Sequence, residues 1–409
     1  MQHFSLATLL FALLSFSNAR SQVKILFDAT HAQSAANADW VIDADVHNMG
    51  WNSTGGYTCS CSSNESNAQR LPTPTQTLVT SSTAETYWEG ALSHWAIDCV
   101  NKGYWVETLP FGLSFTYGTA SVQDLSNYDI VVVDEPNTLL TTAEKTALMH
   151  YVQNGGSLFM ISDHDVSDRN GDGYDSPYIW NDFITNNGVS NNATGFNFAK
   201  QNFSGTFSNV INAPSDSLLH GPFGSVTEVQ WSGGTCMNII ASQNSSVKAV
   251  VYKNGVGQSD TAALVVHTRV GCGKIAAMSD SSPMDDGTGD PNDNSLYDGY
   301  ATDAAGNHKK LLMNAMVWLA QKDCNLAVSE MEENSVAMYP NPSSGKVIIN
   351  LSATATATMH IFNAQGQEVA FSRNQTSEGT ILDGLAPGVY TCYMADGERI
   401  TSKKLVIVP

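Results

Sequence analysis

Apolar residues in this chain gather in short continuous runs, and most runs give way at once to polar or acidic side chains. Residues 23–27, 104–109, 128–133, 157–161, 247–252, 262–267 and 274–278 are each dominated by aliphatic or aromatic side chains. Runs this short and unbroken suit strands buried on both faces. Helical signals fall between them. Ser82-x-x-Glu85 predicts a capping box opening a helix to about Lys102, and Thr141-x-x-Glu144 a second one reaching Gln153, where Gly155 and Gly156 stop it. Ser176-Pro177 predicts a capped start for a helix to about residue 187, residues 307–320 form another, and residues 32–40 begin one more. Alternating strands and helices predict an α/β domain with a doubly wound, mostly parallel sheet.

The pattern changes near the C-terminus. Beyond residue 337 short alternating strands are separated by Gly turns and no helical period survives. A small all-β sandwich is expected over 337–409, joined by an acidic, non-periodic linker at 324–336 to the α/β domain of residues 20–323. At the other end, the apolar run of residues 4–16 precedes Ser17-Asn18-Ala19, a small-x-small cleavage pattern, so residues 1–19 are read as a signal peptide. The run is shorter than the ~20 residues that span a bilayer, and no transmembrane anchor is expected. The expected destination is the medium or the outer cell surface, by way of the periplasm.

Charge narrows the function further. The 409 residues hold 39 acidic against 19 basic side chains, net −20, with no basic stripe, so nucleic acid is not an expected partner. Seven cysteines in an exported chain permit disulfides, but their pairing does not follow from spacing.

The densest chemistry lies at residues 155–176. A buried strand leads into Asp163, His164, Asp165, Asp168, Asn170, Asp172 and Asp175, a group that cannot share a dry interior without a counter-charge. Three other strands end similarly, in Asp28 with His31, in Asp134 with Glu135, and in Asp280. Parallel strands place their carboxyl ends along one edge, where these groups can meet. Taken singly, each Asp could equally cap a helix or turn. Taken together they give a candidate catalytic set of Asp163, His164, Asp28, His31 and Asp280. Asp163 or His164 would be the general base, while Asp28 and His31 orient water or substrate. Asp168-Arg-Asn170-Gly-Asp172-Gly173 matches the first half of a calcium loop, with Tyr174 offering its carbonyl. Ile179 stands where an EF-hand has Glu, so Asp175 or Asp163 would supply the missing carboxylate. The expected calcium set is therefore Asp168, Asn170, Asp172, Tyr174 and Asp175, against the alternative of a solvated Asn/Gly turn. Asp285, Asp286, Asp290, Asp293 and Asp298 lack regular spacing and are expected to be flexible acidic surface. His47, His94, His150 and His308 are expected to be structural, and His220 stands within reach of the same sheet edge.

Five segments carry a family likeness: Ile25-Leu-Phe-Asp28-Ala-Thr-His31, residues 128–133, residues 155–161, His220-Gly-Pro-Phe-Gly224 and residues 273–280. Their order resembles the class I glutamine-amidotransferase-like fold, and within it the ThuA-like proteins and the domain shared by gliding-motility and intraflagellar-transport proteins. The resemblance implies a flavodoxin-like sheet. Amidotransferases carry a cysteine on the turn after the strand at 157–161, where this chain has Ser162, Asp163 and His164. Cys272 precedes a strand instead. Thiolate-driven ammonia release is thus excluded, and an enzyme on this scaffold would be a hydrolase. ThuA-like relatives are linked to sugars, which implies a saccharide ligand. Met338-Tyr-Pro-Asn-Pro342, Gly345, residues 361–366, 385–390 and 403–409 resemble the C-terminal sorting domain of the type IX (Por) secretion system of Bacteroidetes. That implies the secretion machinery as partner. The expected function is an exported protein acting on saccharides through a carboxylate/His site. The alternatives are a non-catalytic, calcium-stabilised glycan-binding module, and a metal-dependent phosphoesterase or nuclease.

Overall fold

A computed structural model describes residues 22–35, 38–44, 68–289, 297–322, 336–351, 358–376, 379–396 and 399–409. The expected signal peptide of residues 1–19, nearly all of the expected linker, His47, Asp290, Asp293, Cys59, Cys61 and Cys324 lie outside these residues. The chain divides into two compact units, Met1–Asp323 and Cys324–Pro409.

The first unit is built on one mixed sheet. Strands Trp105–Leu109, Lys24–Asp28, Ile130–Val133, Ser157–Ile161 and Gly273–Met278 lie side by side and parallel. Counted along the chain, their spatial order is second, first, third, fourth, fifth. Beyond Gly273–Met278 the sheet turns antiparallel through Ala263–Val270, which pairs with Lys248–Tyr252 and Met237–Ile239.

Both faces of the parallel strands are covered, which is why their runs are apolar throughout. Ile25, Phe27, Ile130, Val132 and Phe159 face helix α1 (Ser93–Asn101) and helix α4 (His308–Leu319). Leu26, Val131, Val133, Leu158 and Met160 face helix α2 (Thr142–Gln153) and helix α3 (Ser176–Asn186). Alternation along a strand sends successive side chains to opposite faces. Lys274, only 1 % exposed, points its ammonium at the carbonyls of Trp318 (2.8 Å) and Gln321 (2.7 Å) at the end of α4. A cation is favourable there, where carbonyls lack helical partners.

Three expected helix starts differ from the structure. The chain forms only a 3₁₀ turn at Glu85–Tyr87, and α1 begins at Ser93 with no side-chain cap. Gly90 lies against the Val41 and Ile42 backbone so closely that no Cβ fits, and the Ser93 hydroxyl bonds Glu85 O and Trp88 N, holding residues 85–93 as a tight loop. Residues 32–40 form a short antiparallel pair, Ser34–Ala35 with Ala38–Asp39, in place of a helix. The third helix is capped by Asp175, whose Oδ1 accepts from Tyr178 N at 2.9 Å, so Ser176 is already helical. Helix α2 has the expected capping box, with Thr141 and Glu144 bonded reciprocally.

The second unit contains two antiparallel sheets, of four and three strands. Val347, Ile349 and Leu382 from one meet Ile361, Tyr390, Cys392, Leu405 and Ile407 from the other in a single core, giving a small sandwich. Among the described residues no helix is long and apolar enough to cross a membrane.

Candidate functional site

The carboxyl ends of the parallel strands carry two buried polar clusters. The larger is centred on Glu135, at the end of Ile130–Val133. Its φ of +35° is a left-handed conformation that non-glycine residues seldom take, and this one is held in place from several sides. Glu135 Oε1 accepts from Arg169 Nε at 2.8 Å, while Oε2 accepts from Trp40 Nε1 at 2.8 Å and Ser281 Oγ at 2.6 Å. Arg169 also reaches Asp163, through Nη2 at 2.6 Å from Oδ2. Asp280 accepts from Ser232 N at 2.6 Å and Ser282 N at 2.9 Å. Asp134 differs from all of these: both its carboxyl oxygens are buried and, among the described residues, find no hydrogen-bond partner.

Carboxylates outnumber the available positive charge here, so protons must be retained. Burial, then Glu135 and Asp280, raises Asp163 well above the usual carboxylate range, against the pull of Arg169. Burial raises Asp134 in the same way, with Glu135, Asp280 and Asp285 adding to it. Asp280 is pushed up to about 7 and Asp285 to about 8, both chiefly by burial. Two carboxyls sharing one guanidinium, with other acids behind them, form a local proton store.

His164 stands at the outer side of this store. Its Nε2 is 3.6 Å from Asp163 Oδ2, and its Nδ1 is 2.6 Å from the Asp165 carbonyl. The Asp165 carbonyl can only accept, so that contact calls for a hydrogen on Nδ1, with Nε2 turned toward Asp163. The Asn202 amide is 3.0 Å from the same Nδ1.

The second cluster ends Lys24–Asp28. His31 Nδ1 is 2.7 Å from Asp28 Oδ2 and His31 Nε2 is 3.6 Å from Glu144 Oε1, with the ring stacked on Phe115 at 5.2 Å. Asp28 is saturated by Thr30 and Gln33. Burial works to lower the His31 pKa, but Asp28 and Glu144 raise it to about 10. Burial would raise Glu144, yet His31 and Thr141 bring it down to about 2. His31 is thus an imidazolium between two carboxylates.

Of the five candidate catalytic residues, Asp163, His164 and Asp280 belong to the first cluster, and Asp28 and His31 to the second. Asn137 links the two: its N–H donates to His31 O at 2.7 Å, and its Oδ1 accepts from Arg169 N at 3.2 Å. His220 is exposed on the His220–Gly221/Gly224–Ser225 hairpin, with Nδ1 3.1 Å from Ser225 Oγ.

The loop from Asp168 to Asp175 folds around its own amides. Asp168 accepts from Gly171 N (2.8 Å), Asp172 N (3.1 Å) and Gly173 N (2.8 Å), and Asp172 from Tyr174 N (2.9 Å). Asn170 donates to Asn137 O. Asp175 divides its oxygens between Tyr178 N and Val166 N. Among the described residues no group of three or more His, Cys, Asp or Glu side chains is gathered to hold a metal ion. Asp285 and Asp286 are not the flexible surface expected from their spacing. They are buried, accepting from Gly287, Tyr297, Thr288 and His94 backbone amides, because residues 285–287 turn inward beneath α1.

The pattern of the chain marked Glu135 as a polar strand end without placing it in the catalytic set, and it passed over Arg169 and Glu144 as site residues. Arg169 had a signal: it is the cation inside a run of five carboxylates that requires a counter-charge. Cys272 is disulfide-bonded, which removes it as a nucleophile.

Residues 337–408 match the secretion system C-terminal sorting domain family. The second unit is a sorting domain. It points to secretion by the type IX route and to recognition by that machinery. No curated protein matches the chain. Among solved structures, the mmIFT52 N-terminal domain is 12% identical with a TM-score of 0.39, covering 57% of this chain and 92% of its own. A cytoplasmic protein from Salmonella typhimurium is 13% identical, TM-score 0.35, covering 55% and 85%. A putative ThuA-like protein from Parabacteroides merdae is 14% identical, TM-score 0.32, covering 56% and 85%. Likeness at this level carries no functional argument.

Proposed function

We propose that the α/β domain of this exported protein acts on a saccharide at the carboxyl edge of its parallel strands, with Asp163 and His164 as the acid–base pair. One observation supports it above the rest: Asp163 and Glu135 share Arg169, and His164 Nε2 lies 3.6 Å from Asp163. A carboxyl that burial holds well above the usual carboxylate range suits protonation of a leaving oxygen. The imidazole beside it is placed to take a proton from water or a hydroxyl. Asp28 and His31, fully engaged with Glu144, hold the neighbouring strand end in position. The strand order and the polar strand ends support an amidotransferase-like scaffold that has exchanged its thiol for this carboxyl pair.

Alanine at Asp163 or His164 is expected to abolish turnover of a polysaccharide panel, read as reducing-end release, while the circular-dichroism spectrum stays unchanged. Undiminished turnover in both variants would remove them from the mechanism. Binding without turnover is the second reading, favoured because the two carboxylates already close on Arg169. Ligand retention on a glycan array with no product would establish it.

Calcium at Asp168, Asn170, Asp172, Tyr174 and Asp175 remains part of this proposal. Asp168 receives three amides, and a carboxylate offers about four acceptor sites. Calorimetric titration of chelator-treated protein is expected to give heat at sub-millimolar calcium, and a flat titration at millimolar metal would overturn it.

A further inference from the structure

The acid–base pair leaves unused the aromatic surface at the start of α3, which Asp175 ties to Val166, two residues from His164. Tyr174 and Tyr178 lie with ring centroids 4.9 Å apart and planes tilted by 38°. Tyr178 is 41% exposed on the first turn of α3, and among the described residues neither hydroxyl makes a hydrogen bond. The backbone that carries the pair is anchored. Asp175 is buried between them in sequence, one oxygen on Tyr178 N and the other on Val166 N, both at 2.9 Å. One carboxylate therefore ties the first turn of α3 to the segment that carries His164.

Lys200 closes the remaining gap. Its ammonium is 5.8 Å from the Tyr178 ring centroid and 3.8 Å from Asp165 Oδ1. Asp165 N donates to Gln201 O at 2.8 Å, and the next residue, Asn202, touches His164. The Lys200 ammonium thus stands between the Tyr178 ring and Asp165, next in sequence to His164, and the Asn202 amide reaches the imidazole itself. Resting on the saccharide reading above, the geometry points to Tyr178, backed by Tyr174, as the stacking platform for one sugar ring of a polysaccharide at the mouth of the Asp163/His164 site.

The chemistry is complementary. A pyranose ring has apolar C–H faces and a rim of hydroxyls. The Tyr178 face can cover the first once the Lys200 ammonium over the ring moves to the rim, where it and Asn202 can hydrogen-bond the second. The tilted partner ring of Tyr174 stiffens the platform, so little freedom is lost when a ring settles on it. Val166, 77% exposed beside the same segment, extends the apolar border.

The test is isothermal titration of the full chain with cellohexaose, laminarihexaose and xylohexaose. At least one is expected to bind. For that sugar, Tyr178→Ala weakens affinity about tenfold or more, Tyr178→Phe stays within about twofold, and Tyr178→Trp binds as well or better, all at an unchanged thermal midpoint. Binding that survives Tyr178→Ala but is lost in His164→Ala would overturn the platform and leave the acid–base site standing. Equal losses in the Ala and Phe variants would also overturn it, since the hydroxyl and not the face would be responsible. Failure of the unaltered chain to bind or cleave any of the three would overturn both readings.

Discussion

Asp28, His31 and Glu144 at one strand end, and Asp134, Glu135, Asp163 and Asp280 at its neighbours, are buried to a similar depth on the same edge. Their electrostatics are nonetheless opposed. The first cluster pairs an imidazolium with two carboxylates and has most of its oxygens hydrogen-bonded. The second offers one guanidinium to Glu135 and Asp163, leaves Asp134 without a hydrogen-bond partner among the described residues, and holds Asp280 and Asp285 on backbone amides. Paired charges give a cluster that resists titration. Unpaired acids give one that stores protons. A buried group matched by partners serves the fold, whereas a surplus held against its own desolvation is where function is to be sought.

The contrast is most severely tested by removing Arg169, the cation that Glu135 and Asp163 share. Arg169→Ala is expected to cost about 3–5 kcal/mol at pH 8, because buried carboxylates lose their partner. At pH 5, where those carboxyls take up protons more readily, the loss should shrink. Urea denaturation at both pH values checks this, and equal losses would show that Arg169 acts by packing alone.

His31→Ala removes the cation of the smaller cluster and should cost about 3 kcal/mol at neutral pH, the lower end for a broken buried pair. The two clusters also predict different pH windows. His31 is raised from 6.5 to about 10, so its stabilisation is whole below pH 6.5 and fades as pH rises through 10. Glu144 is lowered to about 2 from 4.5, so its share is whole above pH 4.5 and is lost as pH falls through 2. Asp280 and Asp285 are raised to about 7 and 8 from 3.8, so their contribution is whole below pH 3.8 and is lost as pH climbs through 7 to 8. Stability should therefore begin falling on the alkaline side well before His31 titrates.

The smallest change is Asp134→Asn. It removes an ionisable group that is buried without a partner, and is expected to stabilise the chain by about 1 kcal/mol at pH 8 and by almost nothing at pH 4. Thermal melts at the two pH values measure it. Destabilisation at pH 8 would mean that Asp134 has a charged-state role that the cluster geometry does not express.

Much of this arrangement was legible in the chain. Apolar runs such as residues 130–133 and 157–161 can only be strands covered on both faces, and their sudden polar ends mark the sheet edge. The capping box at Thr141 was equally local and correct. Ser82-x-x-Glu85 has the same spacing but did not open a helix, because Trp88 is buried and Gly90 must pass the Val41 backbone. Those constraints are tertiary and leave no local mark. The division of the strand ends into two clusters was likewise hidden. It depends on Arg169, which occupies a variable position of the D-x-N-x-D-G pattern, and on Glu144, which looked like a capping residue and is also the partner of His31.

Asn137 has a bearing on how freely this sequence can drift. Its side-chain amide donates to Ala32 O at 3.1 Å and Glu135 O at 2.9 Å while its oxygen receives Arg169 N. Asp would forfeit both donations, Gln would carry the amide one methylene too far, and an apolar residue would abandon three backbone groups. Loops at three strand ends have thus delegated their alignment to one neutral side chain, and variation that each loop might tolerate alone becomes forbidden at the position where they are fastened together.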